Sequence, residues 1–491
     1  MREAREPGTR VVATSRGLAT SRANVCGSIT GLALLFEASS ANAAAFDGAA
    51  LTLYWILPFA GILASIALFP LFAPEVWHHH FGKIALAWAL LFIVPFASMF
   101  GMNETARQLA HAGLLEYLPF VVLLFALYTV SGGIGVFGNL HGSPGVNTAL
   151  LALGAVLSNL MGTTGAAMVL VRPLIRANDN RTHNVHVLVF FIFLVANAGG
   201  SLTPLGDPPL FLGFLNGVSF FWTTTAMLGP TLTLCGALLA IFYLLDRCLY
   251  TKAGEERPVY SDTTPDAPLR ISGKVNIVLL VAIVAAVLMS GFWRPGIALE
   301  WLGASLEGQD LARDALLVAI AVLSLAITPK AIHEANEFNW GPMQEVAKLF
   351  AAIFVTIIPA IAILKAGEAG ALASLTRLVT TASGEPSNPM YFWLTGILSA
   401  FLDNAPTYLV FFNLAGADAK YLMAHRETLE AISGGAVFMG ALSYIGNAPN
   451  FMVRAIAEDR GIRMPSFFGY MAWSCGILLP LFALLTILFF Q

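Results

Sequence analysis

Apolar residues run along this chain in long blocks, and polar residues gather between them. Crossing the hydrocarbon of a bilayer takes about 20 consecutive apolar residues in a helix. Ten blocks read as spans: 52–73, 82–100, 114–137, 185–203, 222–245, 275–293, 315–329, 345–365, 432–446 and 467–490. Two further apolar segments, 146–175 and 389–415, are split near their middles by SNLMGTTG (158–165) and SAFLDNAPT (399–407). Each half is too short to span alone, so each pair reads as a re-entrant helical hairpin. Irregular backbone at membrane depth is tolerated only where protein or a water-filled cavity surrounds it.

A third kind of interruption is NAGGSLTPLGDPPLF, Asn197 to Phe211, with three glycines, three prolines and an aspartate. It has a counterpart. LTPLGDPPLF (202–211) lies over LSYIGNAPNF (442–451) without a gap at an offset of 240, and LSNLMGTTG (157–165) over LSAFLDNAP (398–406) at 241. Two motifs recurring at nearly one offset indicate an internal duplication. The charged, proline-containing stretch 247–274 divides the spans five and five. An odd number of crossings makes the second half enter from the opposite side, so the repeats must be inverted. The expected fold is an all-α polytopic membrane protein. It is an inverted repeat of two five-span units, 46–246 and 275–491, joined by a cytoplasmic linker, 247–274. Each unit carries a re-entrant hairpin and a discontinuous helix.

Composition agrees: 57% of the 491 residues are hydrophobic and 11% are charged, against roughly 25% charged in soluble domains. A net charge of −3 argues against nucleic-acid partners. The four cysteines (26, 235, 248 and 475) show no metal-binding spacing and suggest no disulfide framework. Residues 1–45 join five arginines to a short apolar core and a small-residue end, the pattern of a secretory signal peptide, although Glu37 interrupts the core. The other reading is a basic N-terminal extension. With residue 46 outside, fourteen Lys and Arg fall in inside loops and span ends and seven outside. That bias supports a multi-pass inner-membrane protein with both termini periplasmic. It also opens the first hairpin to the cytoplasm and the second to the outside.

A helix broken at mid-membrane leaves about four N–H and four C=O groups unpaired at each new end. The N–H ends suit anions, and the freed carbonyls and hydroxyls suit a hard cation such as Na⁺. Oxygen-bearing side chains crowd the breaks: Ser158, Asn159, Thr163, Thr164, Thr203, Asp207, Asp403, Asn404, Thr407, Ser443 and Asn447, with Gly200 permitting close backbone approach. The sodium candidates are Asn159, Asp207, Asp403 and Asn404. Asp207 is well placed as the N-cap of the helix that Pro208 and Pro209 restart, and Asp403 could cap as well. A buried carboxylate that does not cap must be paired with a cation or protonated, and that role is assigned first to Asp403. The Ser, Thr and Asn residues could instead satisfy freed backbone groups.

Other polar features are read as structural. His78, His79 and His80 suggest a cytoplasmic boundary loop, since consecutive residues on a helix point apart. Glu345 and Lys348 can pair at i, i+3. Arg172 and Arg176 mark the inner membrane face or attract an anionic substrate.

NAGGSLTPLGDPP, FLDNAPT and IGNAPNF resemble motifs of the ion-transporter superfamily, which includes NhaD-type sodium:proton antiporters, arsenite permeases and citrate or dicarboxylate carriers. Residues 57–85 and 338–359 resemble its citrate transporter branch, and the similarity runs from about residue 50 to the end. The resemblance implies a homodimer that moves its transport part like an elevator. It implies one ion site from Ser158–Gly165 with Gly199–Asp207, and a mirror site from Asp403–Thr407 with Ser443–Asn447. The carboxylate carriers' Ser-Asn-Thr tips are replaced here by Ser158-Asn159-Leu160 and Asp403-Asn404-Ala405.

The expected function is therefore an ion-coupled secondary active transporter without cofactor, coupled to sodium ions, protons or both. Sodium:proton antiport by alternating access is placed ahead of sodium- or proton-coupled citrate or organic-anion transport. The added acid at the second tip suits cation exchange. A channel is a distant alternative. So is an intramembrane enzyme, for which no HExxH or GxSxG motif is present.

Overall fold

In a computed structural model of the chain, the described residues are 46–138, 140–254, 268 and 270–491. The expected signal peptide and much of the expected linker lie outside them. The described residues are 77% helical. Among the described residues, eight helices are long and apolar enough to cross a membrane. A ninth is added if Gly341–Thr356 and Ile358–Lys365, bent by 41° at Ile357, are one span. The protein is an all-α polytopic membrane protein, and among the described residues strand is confined to two short ribbons, Gly135–Phe137 with Arg270–Ser272 and Ala298–Trp301 with Ala304–Glu307.

Seven of the ten expected spans are single helices, and the block at 345–365 is the bent pair. The block at 315–329 lies in Gly308–Ile327, whose first turns hold Asp310, Arg313 and Asp314. The block at 432–446 is the 14-residue helix Arg426–Met439 followed by a 3₁₀ turn, too short to be a candidate span. The linker begins later than expected, because the Phe220–Ala253 helix runs through its first seven residues.

Burial sorts the helices into an outer and an inner set. In the most apolar stretch of Phe467–Phe489, 22% of residues are buried, and in Phe220–Ala253 28%; in Val185–Leu202 the share is 89%. Apolar side chains turned outward on a helix this long have lipid as their solvent, so the outer set forms the membrane-facing shell. The inner set holds the interruptions.

Each interruption has a local cause. Pro144–Ala177 starts on Pro144, with Ser143 capping the Val146 N–H, and is broken at Gly162 (φ 77°, ψ 155°). That positive φ costs a side chain more than it costs glycine. Asn388–Phe401 ends at Leu402, and Asn404–Leu414 starts one residue later. Val185–Leu194 unwinds into the 3₁₀ turn Ala198–Leu202, and the chain restarts as Pro208–Leu215. Arg426–Met439 does the same through Gly440–Leu442 into Ala448–Asp459.

The aligned motifs repeat their contacts as well as their letters. The Thr203 hydroxyl donates to the Asn159 carbonyl at 2.6 Å, and the Ser443 hydroxyl to the Ala400 carbonyl at 2.5 Å. A Cβ on Gly206 would lie 2.0 Å from the Gly200 oxygen, and one on Gly446 would lie 2.6 Å from the Gly440 oxygen. Glycine is required where backbone meets backbone so closely.

Two expected details differ. His78, His79 and His80 are exposed on the Pro74–Phe100 helix and not in a loop, because Pro74 starts the helix before them. Glu345 accepts from the Trp77 indole at 3.1 Å, and the Lys348 ammonium sits 5.2 Å from the centre of the Phe81 ring, so each is held by the Pro74–Phe100 helix in place of their expected mutual pairing.

Candidate functional site

The four interruptions meet at Asp207. Its backbone has N-cap geometry (φ −139°, ψ 141°) at the start of Pro208–Leu215, yet its side chain makes no capping hydrogen bond. The carboxylate, buried to 1% exposure, accepts instead from three side chains. Thr163 Oγ1 donates to Oδ1 at 3.0 Å, Asn447 Nδ2 to Oδ1 at 3.1 Å, and Asn404 Nδ2 to Oδ2 at 2.5 Å. Thr163 comes from the first sequence repeat and both asparagines from the second. The nearby charged group is another carboxylate, Asp403.

Asp403 takes the role first considered for Asp207. It is the N-cap of Asn404–Leu414, its carboxylate accepting from the Ala405 N–H at 3.1 Å. Thr407 closes the same turn by donating to the Asp403 carbonyl at 3.0 Å. Of the two aspartates, Asp207 is the one whose side chain makes no capping hydrogen bond.

Asn404 adds the second element. Its amide N–H₂ faces the Asp207 carboxylate, as an acceptor-only partner demands. Its Oδ1 is buried without a hydrogen-bond partner. A buried amide oxygen in that position costs free energy unless something donates to it or coordinates it. It and the Asp207 carboxylate are oxygen donors of the type a hard cation takes.

The other candidates are structural in their contacts. Asn159 spends its whole amide on backbone: Nδ2 donates to the Ala155 and Gly199 carbonyls, and Oδ1 accepts from the Leu202 N–H. Ser158 donates to the Ala155 carbonyl of its own helix. Ser443 accepts from the Ile445 and Gly446 N–H groups as well as donating. Gly200 carries the close approach to Gly206, and Thr164 lines the cavity described next.

A cavity of about 80 Å³ opens beside Asp207. One wall comes from the breaks and mixes Gly162, Thr163, Thr164, Gly206 and Asp207 with the apolar Met161, Leu205 and Phe211. The facing wall is apolar, from Phe120, Leu123 and Leu127 of the Leu118–Gly132 helix and Met343 and Val346 of Gly341–Thr356. Tyr128 is the exception there, and its hydroxyl donates away, to the Asn339 carbonyl at 2.7 Å. Among the described residues, no Lys, Arg or His lines the cavity.

Two residues absent from the sequence-based candidates tie the breaks together. Asn197 Nδ2 donates to Asn450 Oδ1 at 2.7 Å, and Asn450 Nδ2 donates to the Gly440 and Ser443 carbonyls, both at 2.9 Å. Asn450 lies inside a duplicated stretch and Asn197 just before one, but at the 240-residue offset they meet Leu210 and Val437, so the repeat gave no signal for them. Among the described residues, no group of His, Cys, Asp and Glu is arranged to hold a metal through those side chains alone.

A family model described as "Putative citrate transport" matches residues 48–490. No curated protein matches the chain.

Proposed function

The chain belongs to this citrate transport family of the ion-transporter superfamily, and we propose that it is an ion-coupled secondary transporter that exchanges sodium ions for protons by alternating access. One observation carries this reading. The Asp207 carboxylate is buried where all four helix breaks converge, held by neutral donors, with no Lys, Arg or His among the described residues that line its cavity and with the unpartnered Asn404 oxygen beside it. A carboxylate so placed is balanced either by a bound cation or by a proton. Competition between the two for one group is the elementary requirement of exchange.

The repeated contacts at Thr203 and Ser443, and at the two glycine pairs, support an inverted repeat with re-entrant hairpins at 146–175 and 389–415. Exchange would then proceed by movement of the broken-helix elements against the apolar wall. We place the protein in the bacterial inner membrane as a homodimer with periplasmic termini.

The family description favours a second reading, sodium- or proton-coupled uptake of citrate. A tricarboxylate needs cationic partners, and the cavity lining supplies none; the half-helix N-terminus at Pro208 and the hydroxyl of Thr164 would have to serve. Proteoliposomes separate the two readings. Exchange predicts that added Na⁺ collapses an imposed pH gradient. Citrate accumulation driven by Na⁺, without such a collapse, would reverse the order.

A further inference from the structure

Arg172 lies nine residues beyond Thr163 on the same helix, about 13 Å along the axis. Its side chain is 8% exposed. One nitrogen, Nη2, donates to Glu337 Oε2 at 3.0 Å, while Nε and Nη1 are buried with no hydrogen-bond partner. Arginine carries five N–H donors in a rigid fork and keeps its charge, so a buried guanidinium with one partner is incompletely matched.

The surroundings are cationic. Arg460 donates to the other Glu337 oxygen, Oε1, and Arg176 lies within electrostatic reach of both arginines while it donates to the Val136 carbonyl at 2.7 Å. Two guanidinium groups thus share one carboxylate, with a third cation close to both. That carboxylate is tethered, because Glu337 sits in the loop between Lys330–Ala335 and Gly341–Thr356. It is half exposed and has φ 50°, a conformation that few non-glycine residues adopt. Met168, one turn before Arg172, packs with Tyr128 and Met343, which line the cavity. The cluster therefore stands at one end of that cavity.

We propose that Arg172 and Arg460 form a binding site for a carboxylate group of a small soluble anion, and that the chain's own Glu337 occupies this site in the present state. The class of ligand is set by the occupant. A carboxylate already bridges the two guanidinium groups with one oxygen on each, and a free Arg172 donor can receive one oxygen of a second. The site is separate from Asp207 and does not depend on whether sodium exchange or citrate uptake is the transport reaction.

The test is binding of citrate, succinate and sulfate to purified full-length protein at fixed ionic strength, by calorimetry. Removing the tethered competitor with Glu337→Gln should tighten citrate and succinate binding by about two- to fivefold. Arg172→Gln should abolish it, and Asp207→Asn should leave it intact, which separates this site from the transport site. Arg460→Gln, on the exposed side, keeps the test alive if Arg172→Gln does not fold, and should weaken binding. Unchanged affinity in Glu337→Gln, full binding in Arg460→Gln, or equal binding of sulfate would overturn the proposal.

Discussion

The Asn447 amide donates to the Asp207 carboxylate at 3.1 Å across 240 residues of sequence. These are the two positions that superpose when LTPLGDPPLF is laid over LSYIGNAPNF. Equivalent points of a duplicated motif thus touch each other, one as a carboxylate and one as its amide. Had both remained aspartate, two like charges would share a buried site, and one would have to stay protonated. The amide removes that conflict and adds a donor.

Asp207→Asn should therefore eliminate sodium-dependent proton flux in proteoliposomes while the protein still folds. Asp403→Asn should keep most of it, because asparagine is also a good N-cap. Asp403→Ala should lower stability by about 1 kcal/mol through loss of the cap. Normal exchange in Asp207→Asn would remove this carboxylate as the exchanging group.

Asn447→Ala leaves the Asp207 carboxylate with one donor fewer, while Thr163 and Asn404 remain. A hydrogen bond to a charged group is worth about 1.5–3 kcal/mol. The variant should show a lower melting temperature and weaker apparent sodium affinity. Asn447→Asp should shift the pH dependence of transport, since two neighbouring carboxylates then titrate as a pair. A flux–pH profile identical to wild type would contradict the placement.

The paired glycines make a symmetrical prediction. Gly206→Ala puts a methyl 2.0 Å from the Gly200 oxygen, and Gly446→Ala puts one 2.6 Å from that of Gly440. Neither obstacle is a flexible side-chain tip. Each variant should lose about 1–3 kcal/mol of stability, with Gly206→Ala the more severe. A thermal-shift comparison in detergent measures the order.

How much of this was legible in the sequence depends on the kind of signal. Long apolar blocks announced the spans, and the 240-residue offset announced paired breaks, because both are properties of local composition. What the letters could not settle was which aspartate caps. Asp207 precedes two prolines and Asp403 precedes Asn-Ala-Pro, so both satisfy the N-cap rule equally. The difference arises from Asn404 and Asn447, which reach Asp207 from the other half of the chain. Glu337 was invisible for a similar reason, since its partners Arg172 and Arg460 lie 165 and 123 residues away.

Glu337 carries a pH prediction. The Arg172 hydrogen bond, with the charges of Arg172 and Arg460, holds its carboxyl below the ordinary value of 4.5 despite some burial. A depressed carboxylate contributes stability above its unfolded-state value and loses it as pH falls through the folded-state value. The melting-temperature gap between wild type and Glu337→Gln should therefore be constant from pH 7 to about pH 5. It should shrink below 4.5. A gap that already closes near neutral pH would exclude the paired state.

The cavity beside Asp207 takes its polar groups chiefly from the helix breaks, while the facing wall is hydrocarbon apart from Tyr128. Moving the broken-helix wall past Phe120, Leu123, Leu127 and Val346 would sever no hydrogen bond to those side chains, and the smooth side offers a passenger no foothold. Anything that rests on Asp207 and Asn404 would ride with them as on a tray, keeping its ligands throughout the passage instead of exchanging them halfway.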